Sequence, residues 1–189
     1  GQVMGAEHYG GKGLPADHNV VLAFTRNVVG PMDYTPVTFS TERRATSAGH
    51  ELALSVVFES GLQHFADSVD AYRQRPHAER FLERLPAAWD ETVVLGGWPG
   101  SEASVARRRG EDWFVGTITA GAARTVDLPL GFLPAAREAV LIRDDEGDDS
   151  LARETVDATP DETLSVAVPD NGGCCLYLPP SSGRSDDAP

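Results

Sequence analysis

The stretch His18-Asn-Val-Val-Leu-Ala-Phe24 runs through Thr25-Arg26-Asn-Val-Val29 into Gly30-Pro31-Met-Asp-Tyr-Thr-Pro36, and its reading sets the fold expected for the first half of the chain. Residues 18–24 are a short apolar run of strand length. Pro31 and Pro36 each bias the residue before them to extended geometry, so 30–36 cannot be helical. A strand that empties into a polar, proline-locked loop is what the C-terminal rim of an α/β barrel looks like, and such folds keep their chemistry on that rim. Upstream, residues 1–19 read as a glycine-rich loop. Glu7 stands there among Gly5, Gly10, Gly11 and Gly13, so its backbone can approach a ligand closely. This segment has little apolar surface of its own and needs a scaffold to order it, so the chain reads as the back end of something larger.

Working outward, the period changes after Thr46. Ser47 can cap a helix predicted over Ala48–Ala71, with Leu52, Val56, Phe58 and Phe65 on a broad apolar stripe. Gly61 is a weak point in it, costing about 1 kcal/mol relative to alanine. Pro76 opens a second helix predicted to run through Leu85. Both are expected to be outer helices covering a barrel. His50, His64 and His77 fall in or beside them without convergent carboxylates and read as surface or satisfied helix histidines.

After Trp89 the pattern is all strand. Runs at Thr92–Leu95, Ser104–Arg108, Asp112–Ala120, Arg124–Leu128, Ala139–Arg143, Thr163–Val168 and Cys174–Leu178 are separated by turn signals such as Gly96-Gly97, Arg109-Gly110 and Asp170-Asn-Gly-Gly173. The expected fold class is therefore α/β followed by all-β. Residues 1–88 would form the C-terminal portion of a (β/α)8 barrel, residues 89–178 an antiparallel β-sandwich, and residues 179–189 a disordered Pro/Ser/Asp-rich tail.

Composition bounds the partners. The 189 residues are 41% hydrophobic and 24% charged, as in a soluble globular protein, and no apolar run approaches the roughly 18–20 residues that span a bilayer. The formal net charge is −13, and Lys12 is the single lysine. A chain this acidic repels phosphate backbones and anionic lipid, which excludes nucleic acid and membrane as principal partners. Near-absence of lysine, with an acidic cluster at Asp144–Asp149, suggests adaptation to high salt; the plainer reading is an ordinary solvated surface. The Arg107-Arg-Arg109 run does not alter this, because acidic neighbours can neutralise it. Cys174 and Cys175 are adjacent, so on a strand they point to opposite faces and cannot pair with each other. Trp113 reads as a core anchor.

Five ordered motifs resemble glycoside hydrolase family 97. Val3-Met-Gly-Ala-Glu7-His-Tyr resembles the end of that family's Arg-Glu-Gly-x-Arg-Gly-x-Glu-(Tyr/Trp) segment. Pro15-Ala-Asp-His18-Asn is similar to its Pro-Pro-Glu-His, and Leu22-Ala-Phe-Thr-Arg26 to its Leu-Pro-Phe-Thr-Arg. Gly30-Pro-Met-Asp-Tyr-Thr-Pro36 and Ser104-Val-Ala-Arg-Arg-Arg-Gly-Glu-Asp-Trp-Phe-Val-Gly116 resemble two further family motifs. The resemblance runs from residue 3 to about residue 178. It implies an α-glucosidase or α-galactosidase made of an N-terminal sandwich, a catalytic barrel and a C-terminal sandwich, acting on an oligo- or polysaccharide. It also implies that Glu7 is the general acid protonating the glycosidic oxygen, close to a calcium ion held by other carboxylates. The family's other glutamate, six residues before the acid, falls on Gly1, and the base or nucleophile and most calcium ligands would lie upstream.

The chemistry suits the assignment. Glycoside cleavage needs one protonated and one ionised carboxyl group, whose separation decides inversion or retention. A glutamate in a glycine-lined, water-poor pocket can have its pKa raised toward the required value. Asp33 is the second candidate, either binding a sugar hydroxyl or only stabilising a turn. His8 is a candidate substrate-binding residue, His18 a candidate partner for carboxylates, and Arg26 could pair with Asp33 or Glu7. The rival reading is a non-catalytic carbohydrate-binding or interaction module built on the sandwich. Such a module needs aromatic platforms, for which Trp98 and Trp113 are the candidates, whereas a hydrolase needs a placed carboxyl group.

Overall fold

Alternation of apolar residues builds a sheet that is buried on both faces. The computed structural model describes residues 13–41, 44–65, 67–145 and 149–181. Among them, β1 (Glu91–Trp98), β2 (Glu102–Arg109), β3 (Asp112–Thr119), β4 (Arg124–Pro129), β5 (Arg137–Asp144), β6 (Leu151–Ala158), β7 (Thr163–Val168) and β8 (Gly173–Leu178) follow in chain order. Six of them form one sheet in the order β1-β2-β3-β8-β5-β6, and β4 and β7 form a second, two-stranded sheet. All the pairings are antiparallel.

The central strands divide their side chains between two cores. Trp113, Val115, Cys174, Leu176 and Leu178 point toward Val126, Leu128, Val166 and Val168 of the small sheet. Phe114, Ile118, Ile142 and Cys175 point the other way, toward the helices. The two cysteines are free and buried on opposite faces, and burial pushes the Cys174 thiol up to about 12 and the Cys175 thiol well above its ordinary value. Two inert packing thiols result.

The helical layer is set by how closely one helix can lie on the sheet. It comprises α1 (Ala16–Phe24), α2 (Arg26–Val29), α3 (Ala48–Val57), α4 (Val69–Arg73) and α5 (Pro76–Arg84). Helix α3 is buried along its whole length against β3 and β8. A Cβ on Gly116 would meet Val56 Cβ at 2.8 Å and the Ala53 carbonyl at 2.9 Å, and one on Gly173 would meet His50 Cα at 2.7 Å. Glycine is required there by close approach of helix and strand backbones. Asp144 fixes the start of the same helix, accepting from Ser47 Oγ at 2.6 Å and Gly49 N at 2.7 Å.

Arg107 fixes its end. The guanidinium is buried, with Nε donating to the Val56 carbonyl at 2.7 Å, Nη2 to the Val57 carbonyl at 3.1 Å and Nη1 to Thr92 Oγ1 at 2.8 Å. Two carbonyls that a helix end leaves without partners are thus satisfied from a strand of the sheet. Its neighbours pair with acids as expected, Arg108 with Glu91 and Arg109 with Asp90.

Four expectations are corrected. Residues 18–24 are helix, not strand: Asn19, Val20 and Leu22 are buried while Asp17 and His18 are exposed, and a short apolar run does not by itself separate the two states. The helix predicted over 48–71 stops at Val57, where Phe58 turns extended (φ −88°, ψ 112°) and Arg107 takes the last carbonyls; the chain becomes helical again only at α4. Gly96-Gly97 is not a turn but lies within β1, at an irregularity between Val94 and Gly96. Strand β6, with charged residues on an edge, gave no clean alternation and was not anticipated. The Ser47 cap, accepting from His50 N at 3.1 Å, and the Pro76 start of α5 are as predicted.

Candidate functional site

The loop Gly30–Pro36 is pinned by alternation. Met32 and Tyr34 are buried, and the Tyr34 ring meets Phe58 edge-on at 5.1 Å. Met32 N donates to the Glu59 carbonyl at 2.9 Å, which ties the loop to the chain leaving α3. Arg26 closes it from below, donating to the carbonyls of Gly30 at 3.1 Å and Pro31 at 2.9 Å. With both neighbours facing inward, Asp33 faces out and is exposed. It lines a cleft of about 610 Å³ with Met32, Thr35, Ser60, Leu62 and His64. Immediately beyond, buried Val37 holds φ at 66°, a costly conformation for a β-branched residue, and its carbonyl accepts from the Tyr72 hydroxyl at 3.0 Å.

Asp33 and His64 therefore share one cleft, although no local pattern signals that the 60–64 segment meets the Asp33 loop. His18 is exposed on α1. Glu7 and His8 lie outside the described residues. His50 lies in a helix as expected and is fully buried, with Asn19 Nδ2 3.1 Å from its Nε2, but it is only half satisfied, since its buried Nδ1 has no hydrogen-bond partner among the described residues. Burial lowers its pKa from 6.5 to about 4, with the backbone of Gly172, Thr119 and Asn171 opposing that shift.

Two buried carboxylates escaped the sequence reading. Glu51 accepts from Thr46 Oγ1 at 2.6 Å and Thr38 N at 3.3 Å, clamping Thr38 and Thr46 to α3. Asp144 holds the start of α3 as described above. Burial pushes both carboxyl groups up despite their donors. Each is enclosed by hydrogen bonds, which suits a structural clamp. Among the described residues no group of three or more His, Cys, Asp or Glu side chains could hold a metal ion. Of the candidate aromatic platforms, Trp113 is buried in the core and Trp98 is 75% exposed at the end of β1.

With that geometry in view, the likeness to known proteins is specific. Residues 88–179 match the domain described as "Glycosyl-hydrolase 97 C-terminal, oligomerisation". The chain belongs to glycoside hydrolase family 97. It is 46% identical over 160 residues to a probable retaining alpha-galactosidase of Streptomyces bingchenggensis, a match covering 84% of this chain and 25% of that protein. It is 32% identical over 178 residues to the retaining alpha-galactosidase of Bacteroides thetaiotaomicron, covering 85% of this chain and 27% of that one. A family 97 enzyme from a Pseudoalteromonas species, solved with acarbose, superimposes with a TM-score of 0.82 at 29% identity, over 92% of this chain and 30% of that one. The chain thus spans about a quarter of the length of the curated relatives it matches.

Proposed function

We propose that this chain is the C-terminal part of a retaining glycoside hydrolase that acts on α-linked galactosides. The observation that carries the reading is the match to two retaining alpha-galactosidases at 46% and 32% identity over most of the chain. On this reading residues 1–88 complete the end of a (β/α)8 catalytic barrel and residues 89–178 are the sandwich domain that follows it. Glu7 is the general acid: its carboxyl proton passes to the glycosidic oxygen as the bond to the anomeric carbon breaks. Asp33 on its exposed loop and His8 beside the acid bind sugar hydroxyls, and His64 sits within the same cleft as Asp33. The second carboxylate lies outside this chain. We assign calcium ligation to Glu7 together with carboxylates outside this chain, on the resemblance of the Glu7 segment; no step is derived through the ion.

The test is Glu7→Gln in the whole protein, assayed on two α-galactosides. Turnover of an unactivated α-galactoside should fall by several orders of magnitude, whereas an aryl α-galactoside with an acidic leaving group should suffer much less, because a good leaving group needs little protonation. Equal losses on both substrates would remove Glu7 from the acid role. A preference for aryl α-glucoside over α-galactoside would overturn the assigned substrate.

A further inference from the structure

Residues 37–40 follow the Asp33 loop directly, and each of them is gripped by a polar group from another element. The Tyr72 hydroxyl donates to the Val37 carbonyl at 3.0 Å, and Thr38 N donates to Glu51 Oε2 at 3.3 Å. Asp67, just before α4, accepts from Phe39 N at 2.6 Å, Ser40 N at 2.7 Å and Ser40 Oγ at 2.6 Å. The Phe39 ring is held by the Arg75 guanidinium, 4.8 Å from its centroid, and by the Tyr72 ring, edge-on at 5.9 Å.

What these groups hold is a strained turn. Val37 is fully buried at φ 66°, where its branched side chain crowds the backbone and a glycine would sit freely. Such a conformation persists only where the surroundings over-determine it. The strain also lies close to the candidate site. Asp33 rides on a short span, anchored before it by Met32 N on the Glu59 carbonyl and after it by the clamped turn, with only residues 33–36 between. Pro36, its φ fixed by the ring, stiffens the far end of that span. Relaxation of Val37 out of the left-handed region is therefore passed to the exposed Asp33 side chain.

We propose that Tyr72 and Asp67 are positioning residues of the glycosidase site: by holding Val37 in its strained turn, they set where the Asp33 carboxylate stands for a sugar hydroxyl. Both act through the backbone of residues 37–40 rather than on the sugar. The inference rests on the reading of Asp33 as a sugar-binding residue.

The test is steady-state hydrolysis of an aryl α-galactoside by the whole protein, read well below the melting temperature of each variant. Tyr72→Phe deletes only the hydroxyl, and Asp67→Asn replaces one of the two accepting oxygens. Each should raise KM about tenfold with a smaller change in kcat, because the disturbed group binds substrate and transition state alike. Arg73→Gln, exposed on the same helix as Tyr72, should leave both constants unchanged. Adding Val37→Gly to Tyr72→Phe removes the strain that the hydroxyl opposes. It should recover part of the KM even though loss of the buried side chain lowers the melting temperature. A Tyr72→Phe protein that melts lower but keeps the wild-type KM, or no recovery on adding Val37→Gly, would reduce the clamp to packing and overturn the proposal. Asp33→Asn separates the two readings. If it raises KM while Tyr72→Phe does not, the positioning role alone falls; if it leaves KM unchanged, the reading of Asp33 falls and takes this inference with it.

Discussion

Arg107 shows how one side chain can join two layers. Its guanidinium ends α3, bonds Thr92 on the neighbouring strand and lies 3.5 Å from Glu59. Arg107→Met would strand two buried carbonyls and should cost about 3 kcal/mol or more in denaturant unfolding, while Arg107→Lys keeps a charge but not the fork and should recover only part of that. His50 makes a pH prediction of definite sign. Its native pKa is about 4 against an ordinary 6.5, so the unfolded chain binds the extra proton and stability is lost as pH falls through that window. At about 1.4 kcal/mol per pH unit this amounts to about 3 kcal/mol. Glu51 and Asp144 act oppositely, because their raised native pKa values favour the folded state as pH falls toward the ordinary carboxylate range. Wild type should therefore lose more stability between pH 6.5 and 4 than His50→Gln, measured by urea titration at each pH; identical pH profiles would show that His50 does not set the slope.

The elements were legible where burial is one-sided and periodic. Strands β3, β4, β7 and β8 alternate cleanly or run apolar, and their limits agree with prediction to within a few residues. Helix α1 was misread because its exposed face is short and its apolar residues are contiguous, and α3 was overextended because what stops it, Arg107, lies 50 residues downstream of Val57. Asp33 was legible as a site candidate from its proline-locked loop, but its cleft was not, since His64 arrives from a separate segment. The packing of α3 on β3 supplies a further test. Gly116→Ala places a methyl group 2.8 Å from Val56 Cβ, and the strain should cost about 1–3 kcal/mol. Val57→Ala, which removes the Cγ2 that stands 3.2 Å from the same methyl position, should relieve part of it in the same chain, which a double-mutant cycle of unfolding free energies would detect as coupling; strict additivity would contradict the close approach.

Acidity governs the molecule as a whole. Part of the Asp144–Asp149 cluster is structural, since Asp144 is buried at α3 and Asp149 pairs with Arg44 and Arg75. The remaining surplus, within a net charge of −13, leaves a chain that repels itself at low ionic strength. Screening shortens from about 10 Å at 0.1 M salt to about 3 Å at 1 M, so the melting temperature should rise with KCl, mostly below 1 M if screening is the cause. A gain continuing beyond that would indicate ion binding and hydration suited to high salt, whereas a flat or falling curve would make the acidity ordinary surface composition.

The central claim, that this chain completes a retaining α-galactosidase, is tested most directly by the anomer the whole protein releases. Proton NMR of the first galactose formed from an aryl α-galactoside, read before mutarotation, should show the α-anomer, because two displacements preserve configuration. The β-anomer appearing first, or no hydrolysis of the α-galactoside, would contradict it.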